Sequence, residues 1–236
     1  RVNRAGDDAA GLAISEKMRA QITGLDAATK NVKDGISMVK TAEGAMQEIH
    51  DMLNRMAYLA TQSANGTYDN AVDRANLQSE VTALGSEIDR IAANSNFNGT
   101  KLLDGTLNAT LQIGDTAAET ISVQVANMNM ATLFTTAPDI SSLSGANTAI
   151  TSIKTAINTV STQRGNLGAV QNRLEHTQNN LSVMRENIQD AESTIRDTDV
   201  AEEMMAYTKN NILIQSAQAM LAQANQVPQG VLQLMQ

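Results

Sequence analysis

Two histidines, His50 and His176, and the adjacent carboxylates Asp7 and Asp8 are where this sequence could do metal chemistry. The histidines stand far apart in sequence and would meet only if two long helices brought them to the same level. A seam or flank position on a helix is the plainer reading of each. Asp7 and Asp8 read as the negative start of a helix, where they complement the positive end of its dipole. No phosphate-binding loop, no Ser–His–Asp order and no HExxH zinc motif occurs. Twelve methionines read as flexible fillers of gaps between helices. Asn65, Asn98 and Asn108 each open an Asn-x-Thr triplet, which turn propensity explains. The residues therefore point away from catalysis, and no cofactor or metal is expected.

Composition narrows the classes further. Hydrophobic residues make up 42% of the 236, but aromatics only 2%. Ala, Leu, Ile, Val and Met suit thin helical rods better than a thick globular core, where aromatics supply much of the buried area. The same scarcity disfavours stacking sites for sugars or bases. A net charge of −8 disfavours nucleic acid, which needs clustered Lys and Arg. With no cysteine, disulfide scaffolds and thiolate metal sites are excluded, and any redox compartment is tolerated. No apolar run reaches the roughly 18 residues of a membrane helix. The chain opens on "RVNRAGDDAAG" without Met, so a preceding segment is expected and the lack of a signal peptide is uninformative.

The elements that must carry these residues show in a seven-residue repeat. Met18, Leu25, Val32, Val39, Met46, Leu53 and Ala60 form one seam, with Ile22, Thr29, Ile36, Glu43, His50 and Ala57 as its partner set. Ile153, Val160, Leu167, Leu174, Leu181, Ile188 and Ile195 form a second. The second seam's own partner set, Ile150 and Ile157 followed by Arg164, Gln171, Gln178, Arg185 and Glu192, turns polar, which lowers stability but fixes register. Heptads this long specify supercoiled helices. They predict helices at about 7–64 and 146–196, roughly 85 and 75 Å long at about 1.5 Å per residue, lying antiparallel. A shorter helix at about 70–92, presenting Leu77, Val81, Leu84, Ile88 and Ile91, is expected to fold back along the first after the turn "ANGTYDN". Strand alternation at Leu111 and Ile113, and at Ile121, Val123 and Val125, predicts a hairpin in a small β region at about 100–134. Residues 135–145 read as linker.

The chain closes on "NNILIQSAQAMLAQANQVPQGVLQLMQ", Asn210 to Gln236, which contains no charged side chain. It reads as helix up to Pro228, starting near Asp199 with Glu202 as its capping-box partner. An exposed segment normally carries charge to stay soluble, so the composition predicts that something else covers it. The expected fold class is mainly α: an elongated antiparallel helical rod, residues 1–198, with a small β-hairpin region, then a coiled-coil-forming terminal helix, 199–236.

"RVNRAGDDAAGLAISEKMRAQI", "QSANGT" at 62–67, "FNGTKLLDG" at 97–105, "LGAVQNRLEHTQNNL" at 167–181 and "TKNNILIQSAQAMLAQANQVPQGVLQL" at 208–234 closely resemble bacterial flagellin. The resemblance covers both ends and nearly all of the helical sequence. It implies a secreted, non-enzymatic structural subunit of the flagellum, outside the cell, assembling with other flagellin subunits into a hollow filament. It implies that the charge-poor closing helix pairs with an N-terminal helix of the same kind, expected to be cut away or otherwise absent from this sequence. It implies a flagellin export chaperone wrapped on the C-terminal segment, with Ile212, Leu213, Ile214, Met220, Leu221, Val231 and Leu232 as the assembly or chaperone contacts. The short 135–145 segment stands where many relatives carry large outer domains; by the same resemblance Thr135, Thr136, Ser141, Ser142 and Ser144 are candidates for O-linked sugars. By the same resemblance Toll-like receptor 5 engages Asn54, Arg55, Leu59, Gln62 and Glu80, although strong activators carry charges where Ala57 and Tyr58 stand. By residues alone, Arg55 and Leu59 are four apart and simply share a helix face. A hook–filament junction protein and a soluble coiled-coil adaptor are the competing readings.

Overall fold

The computed structural model describes residues 2, 4 and 6–234, and side chains through residue 225. The chain divides into two compact units, one of Arg1–Arg19 with Ile188–Gln236, the other of Ala20–Asn187. Helix α1 spans Ala9–Ser63, and a π-helical turn at Asn70–Arg74 leads into α2, Ala75–Asn94. Four short strands follow, β1 Asn96–Phe97, β2 Thr100–Lys101, β3 Asn108–Gln112 and β4 Thr120–Gln124. One turn of helix, α3 at Met130–Leu133, precedes α4, Leu143–Arg196, and α5, Val200–Leu234.

Helix starts follow local chemistry. Asp8 Oδ1 accepts from the N–H groups of Ala10 and Gly11 at 3.1 and 2.9 Å, satisfying donors that the first turn of α1 leaves open. Asp199 does the same for α5, accepting from Ala201 at 2.9 Å and Glu202 at 3.3 Å. At the other end of α5 the expected stop at Pro228 does not occur, and the helix continues to Leu234. A proline removes one N–H and crowds the preceding turn, but the residues beyond it here can still complete helical bonds.

In the 20–187 unit the two repeats meet as expected. Leu25, Val32, Val39, Met46, Leu53 and Ala60 of α1 are buried, as are Ile153, Val160, Leu167, Leu174 and Leu181 of α4. The pairing is antiparallel: Asp26 meets Arg185 and, further along α1, Glu43 meets Arg164, earlier on α4. The expected partner set of α1 is corrected. Of it, Ile36 is buried, but Ile22, Thr29, Glu43, His50 and Ala57 are half-buried; the second buried row is Ala28, Gly35, Ala42, Ile49, Met56 and Ser63. The reason is proximity. A Cβ at Gly35 would collide with Leu111 of β3, and one at Gly24 would come within 2.9 Å of Asp115. Small residues let the hairpin lie on α1.

That hairpin pairs Asn108–Gln112 antiparallel to Thr120–Gln124, with Leu111 opposite Ile121 and Ala109 opposite Val123. Ile121, Val123 and Val125 are buried, while Asn108, Thr110, Thr120, Ser122 and Gln124 face outward and are exposed. Two helix carboxamides hold its rim: Asn31 donates to the Gln112 carbonyl at 3.2 Å and Gln163 to the Gln124 carbonyl at 3.3 Å. A two-stranded sheet is marginal alone, so these helix contacts are what stabilise it. β1 and β2 form a second hairpin around Asn98–Gly99, both with positive φ (50° and 82°), as a tight two-residue turn requires.

In the unit of residues 1–19 and 188–236, α1 and α4 are again joined side by side. Ser15 Oγ donates to Glu192 at 2.9 Å, and Arg196 approaches Glu16 at 3.5 Å.

Candidate functional site

Two surfaces carry the residues singled out by the sequence. The first lies where α1 and α2 meet. Arg55 Nε donates to Glu80 Oε1 at 2.7 Å, and the guanidinium sits 5.3 Å from the centre of the Tyr58 ring. The Glu80 carboxylate accepting this bond holds Arg55 above its ordinary pKa, with a smaller contribution from charge attraction. Asn54 and Tyr58 are exposed beside the pair. Gln62 is half-buried and donates to the Tyr68 hydroxyl at 2.9 Å. Leu59 departs from expectation: it is 1% exposed, packed within the helix interface. It supports this patch from beneath and presents no surface of its own.

What aligns α2 with α1 is Arg74, which the sequence did not single out. It is 5% exposed. Its guanidinium donates to the backbone carbonyls of Ser63 at 2.9 Å, Tyr68 at 2.7 Å and Asn65 at 2.8 Å, and to the Asn70 side chain. One planar cation thus gathers the oxygens of the 63–70 turn. Ser63 in turn donates to the Ile140 carbonyl at 2.6 Å, and the Ile140 N–H donates to Gln78 at 2.7 Å. The approach to α4 is pinned to the same end of α1 and α2.

The second surface is α5. From Val200 to Asn225 every side chain is exposed except Asn211, which is half-buried. Ile212, Leu213, Ile214, Met220 and Leu221 are each more than half exposed. The side chains of Val231 and Leu232 lie outside the described residues. Ile212, Leu213 and Ile214 are consecutive, so their directions step by about 100° around the helix. The apolar surface is therefore no single stripe, and a helix apolar around much of its girth is stable in water only when covered. Met204, Met205, Ile212 and Leu213 line a shallow groove along it with Thr208 and Lys209.

The histidines do not form a site. The Glu43–Arg164 contact separates them, His50 lying beyond it on α1 and His176 beyond it on α4 in the opposite direction. His50 is half-buried with Nδ1 lacking a hydrogen-bond partner. Among the described residues no group of three His, Asp or Glu could hold a metal ion, and no helix is long and apolar enough to cross a membrane.

Paired heptad helices, small strand pairs held against them and an uncovered apolar helix define a protein that works by association. Its relatives agree. Residues 1–108 match the bacterial flagellin N-terminal helical region, and residues 150–235 the bacterial flagellin C-terminal helical region. The whole chain is 52% identical over 238 residues to the flagellin of Halalkalibacterium halodurans, covering 87% of it, and 50% identical over 269 residues to that of Bacillus subtilis, covering 88%. The crystal structure of Bacillus cereus flagellin superposes with a TM-score of 0.58 at 34% identity, over 64% of this chain and 88% of that one. A putative flagellar hook-associated protein from Vibrio parahaemolyticus shares the fold, with a TM-score of 0.68 at 11% identity. This chain belongs to the bacterial flagellin family. It is a structural protein rather than an enzyme, an extracellular component of the flagellar filament that assembles with other flagellin subunits.

Proposed function

We propose that α5 is the surface through which this subunit enters the inner wall of the filament, and the segment an export chaperone covers before secretion. Residues 1–198 then serve as the outer, stiffening domain and 199–236 as the inner element. The observation that supports this is the exposure of Ile212, Leu213, Ile214, Met220 and Leu221 on a helix with no charge after Lys209. Apolar area covered at about 25 cal/mol per Å² holds such a helix without specific ion pairs. The test is Leu221→Asp in cells that build their filament from this subunit. Filaments counted by electron microscopy should fall to near none, and calorimetry should show lost capture by the family's export chaperone. Normal filaments and unchanged chaperone affinity would overturn the reading.

A second reading, recognition by Toll-like receptor 5, is favoured by the exposed Arg55–Glu80 pair with Tyr58 beside it. An Arg next to an exposed aromatic is the composition of an interface anchor. In a receptor reporter assay Arg55→Ala should lower the response well below the parent's. An equal response removes this patch from consideration.

A further inference from the structure

Two groups of methionines stand in opposite environments. Met38, Met46, Met56 and Met128 are buried, at most 7% exposed. Met204, Met205 and Met220 on α5 are 57%, 68% and 73% exposed. A thioether sulfur is a nucleophile toward peroxides, and how readily it reacts follows its exposure. With no cysteine in the chain, no thiol competes for the oxidant. Met204 and Met205 also line the α5 groove together with Ile212 and Leu213, so their chemistry sits on the apolar surface itself.

We propose that Met204, Met205 and Met220 are a methionine oxidation site that switches α5 between an associating and a non-associating surface. The oxidant is a hydroperoxide. The sulfur lone pair attacks the outer peroxide oxygen, the S–O bond forms as the O–O bond breaks, and the departing oxygen takes up the proton. The sulfur loses two electrons to become a sulfoxide, and the peroxide is reduced to water or an alcohol. A sulfoxide is polar and strongly hydrated, so burying three of them against a partner's apolar side chains leaves acceptors without donors. Oxidised subunits stay unassembled; assembled ones have the sulfurs covered and are protected. Sulfoxide reductases reverse the change, because the carbon skeleton is untouched. The consequence for association rests on α5 being the assembly surface.

Hydrogen peroxide treatment of the isolated chain, with peptides mapped by mass over time, reads the site directly. One added oxygen should appear on Met204, Met205 and Met220 first, on half-exposed Met184 later, and on Met38, Met46, Met56 and Met128 last. Sedimentable polymer should fall roughly tenfold or more in the fully oxidised sample. Incubation with methionine sulfoxide reductases should restore it. The variant with Met204→Leu, Met205→Leu and Met220→Leu should polymerise like the parent and keep doing so after peroxide. Equal oxidation of buried and α5 methionines, or normal polymerisation of the oxidised parent, or a triple variant that peroxide still disables, would each overturn the proposal. The polymer assay uses the subunit with its preceding N-terminal segment; if that parent does not polymerise before any treatment, the α5 reading is refuted instead, and the order of oxidation still decides the site.

Discussion

Leu53 and Leu213 are the same residue on long helices of one chain, yet Leu53 is fully buried and Leu213 is 55% exposed. Leu53 belongs to the α1–α4 seam in the 20–187 unit, where every seven residues bring another apolar side chain into the same interface. Leu213 belongs to α5, whose neighbours up to Asn225 are nearly all exposed. The contrast separates two uses of apolar surface. In the seam it stabilises the subunit; on α5 it is available to other molecules.

The largest effect should come from the seam. Leu53→Ala removes packed atoms and leaves a cavity, costing about 2–5 kcal/mol, read as a lower urea midpoint. Leu213→Ala should change stability by less than about 0.5 kcal/mol while weakening polymer formation. Equal costs at the two positions would erase the distinction. Next comes Arg74→Met. It leaves the carbonyls of Ser63, Asn65 and Tyr68 without their donor, at a cost of about 1–3 kcal/mol for buried groups left unpaired. Limited proteolysis should then cut in 64–70, and Arg74→Lys should rescue little, since a point ammonium does not reproduce the planar fork. An uncut turn at parental stability would show that the guanidinium is dispensable.

The smallest effect is pH dependence. The Ser141 hydroxyl and backbone N–H hold the Asp139 carboxyl below its usual range. A depressed folded-state value means the stabilisation is complete above the unfolded-state value, near pH 4, and is lost as acid protonates the folded state below that. The urea midpoint should therefore drop slightly below about pH 4, and Asp139→Asn should flatten that part of the profile. An unchanged slope in the variant would assign the acid sensitivity elsewhere. From Asn210 onward the chain has no titrating side chain, so that part of α5 should be insensitive over this window.

Much of this was legible in the residues. The α1 and α4 seams were, because burial on one helix face leaves a seven-residue period of large apolar side chains. The β3–β4 hairpin was, because Ile121, Val123 and Val125 alternate with polar neighbours. The second α1 row was not. Ala28, Gly35 and Ala42 carry little hydrophobic signal, and the smallness of Gly35 has meaning only once Leu111 is seen against that helix. Leu59 was named by resemblance alone, and its place on one helix does not say which face a second helix covers. Arg74 gave no sign, since its partners are mainly backbone carbonyls, which every residue has.

The sequence by itself determined that two long helices carry continuous seams and that the chain from Asn210 onward carries no charged side chain. Those are properties of order and composition, readable one residue after another. Tertiary structure alone decided which face of α1 lies under the hairpin, that Arg55 meets Glu80, and that Arg74 closes the turn between their helices. Each of these depends on distances between segments remote along the chain, and such distances are fixed only when close packing selects one arrangement among many that the same pattern allows.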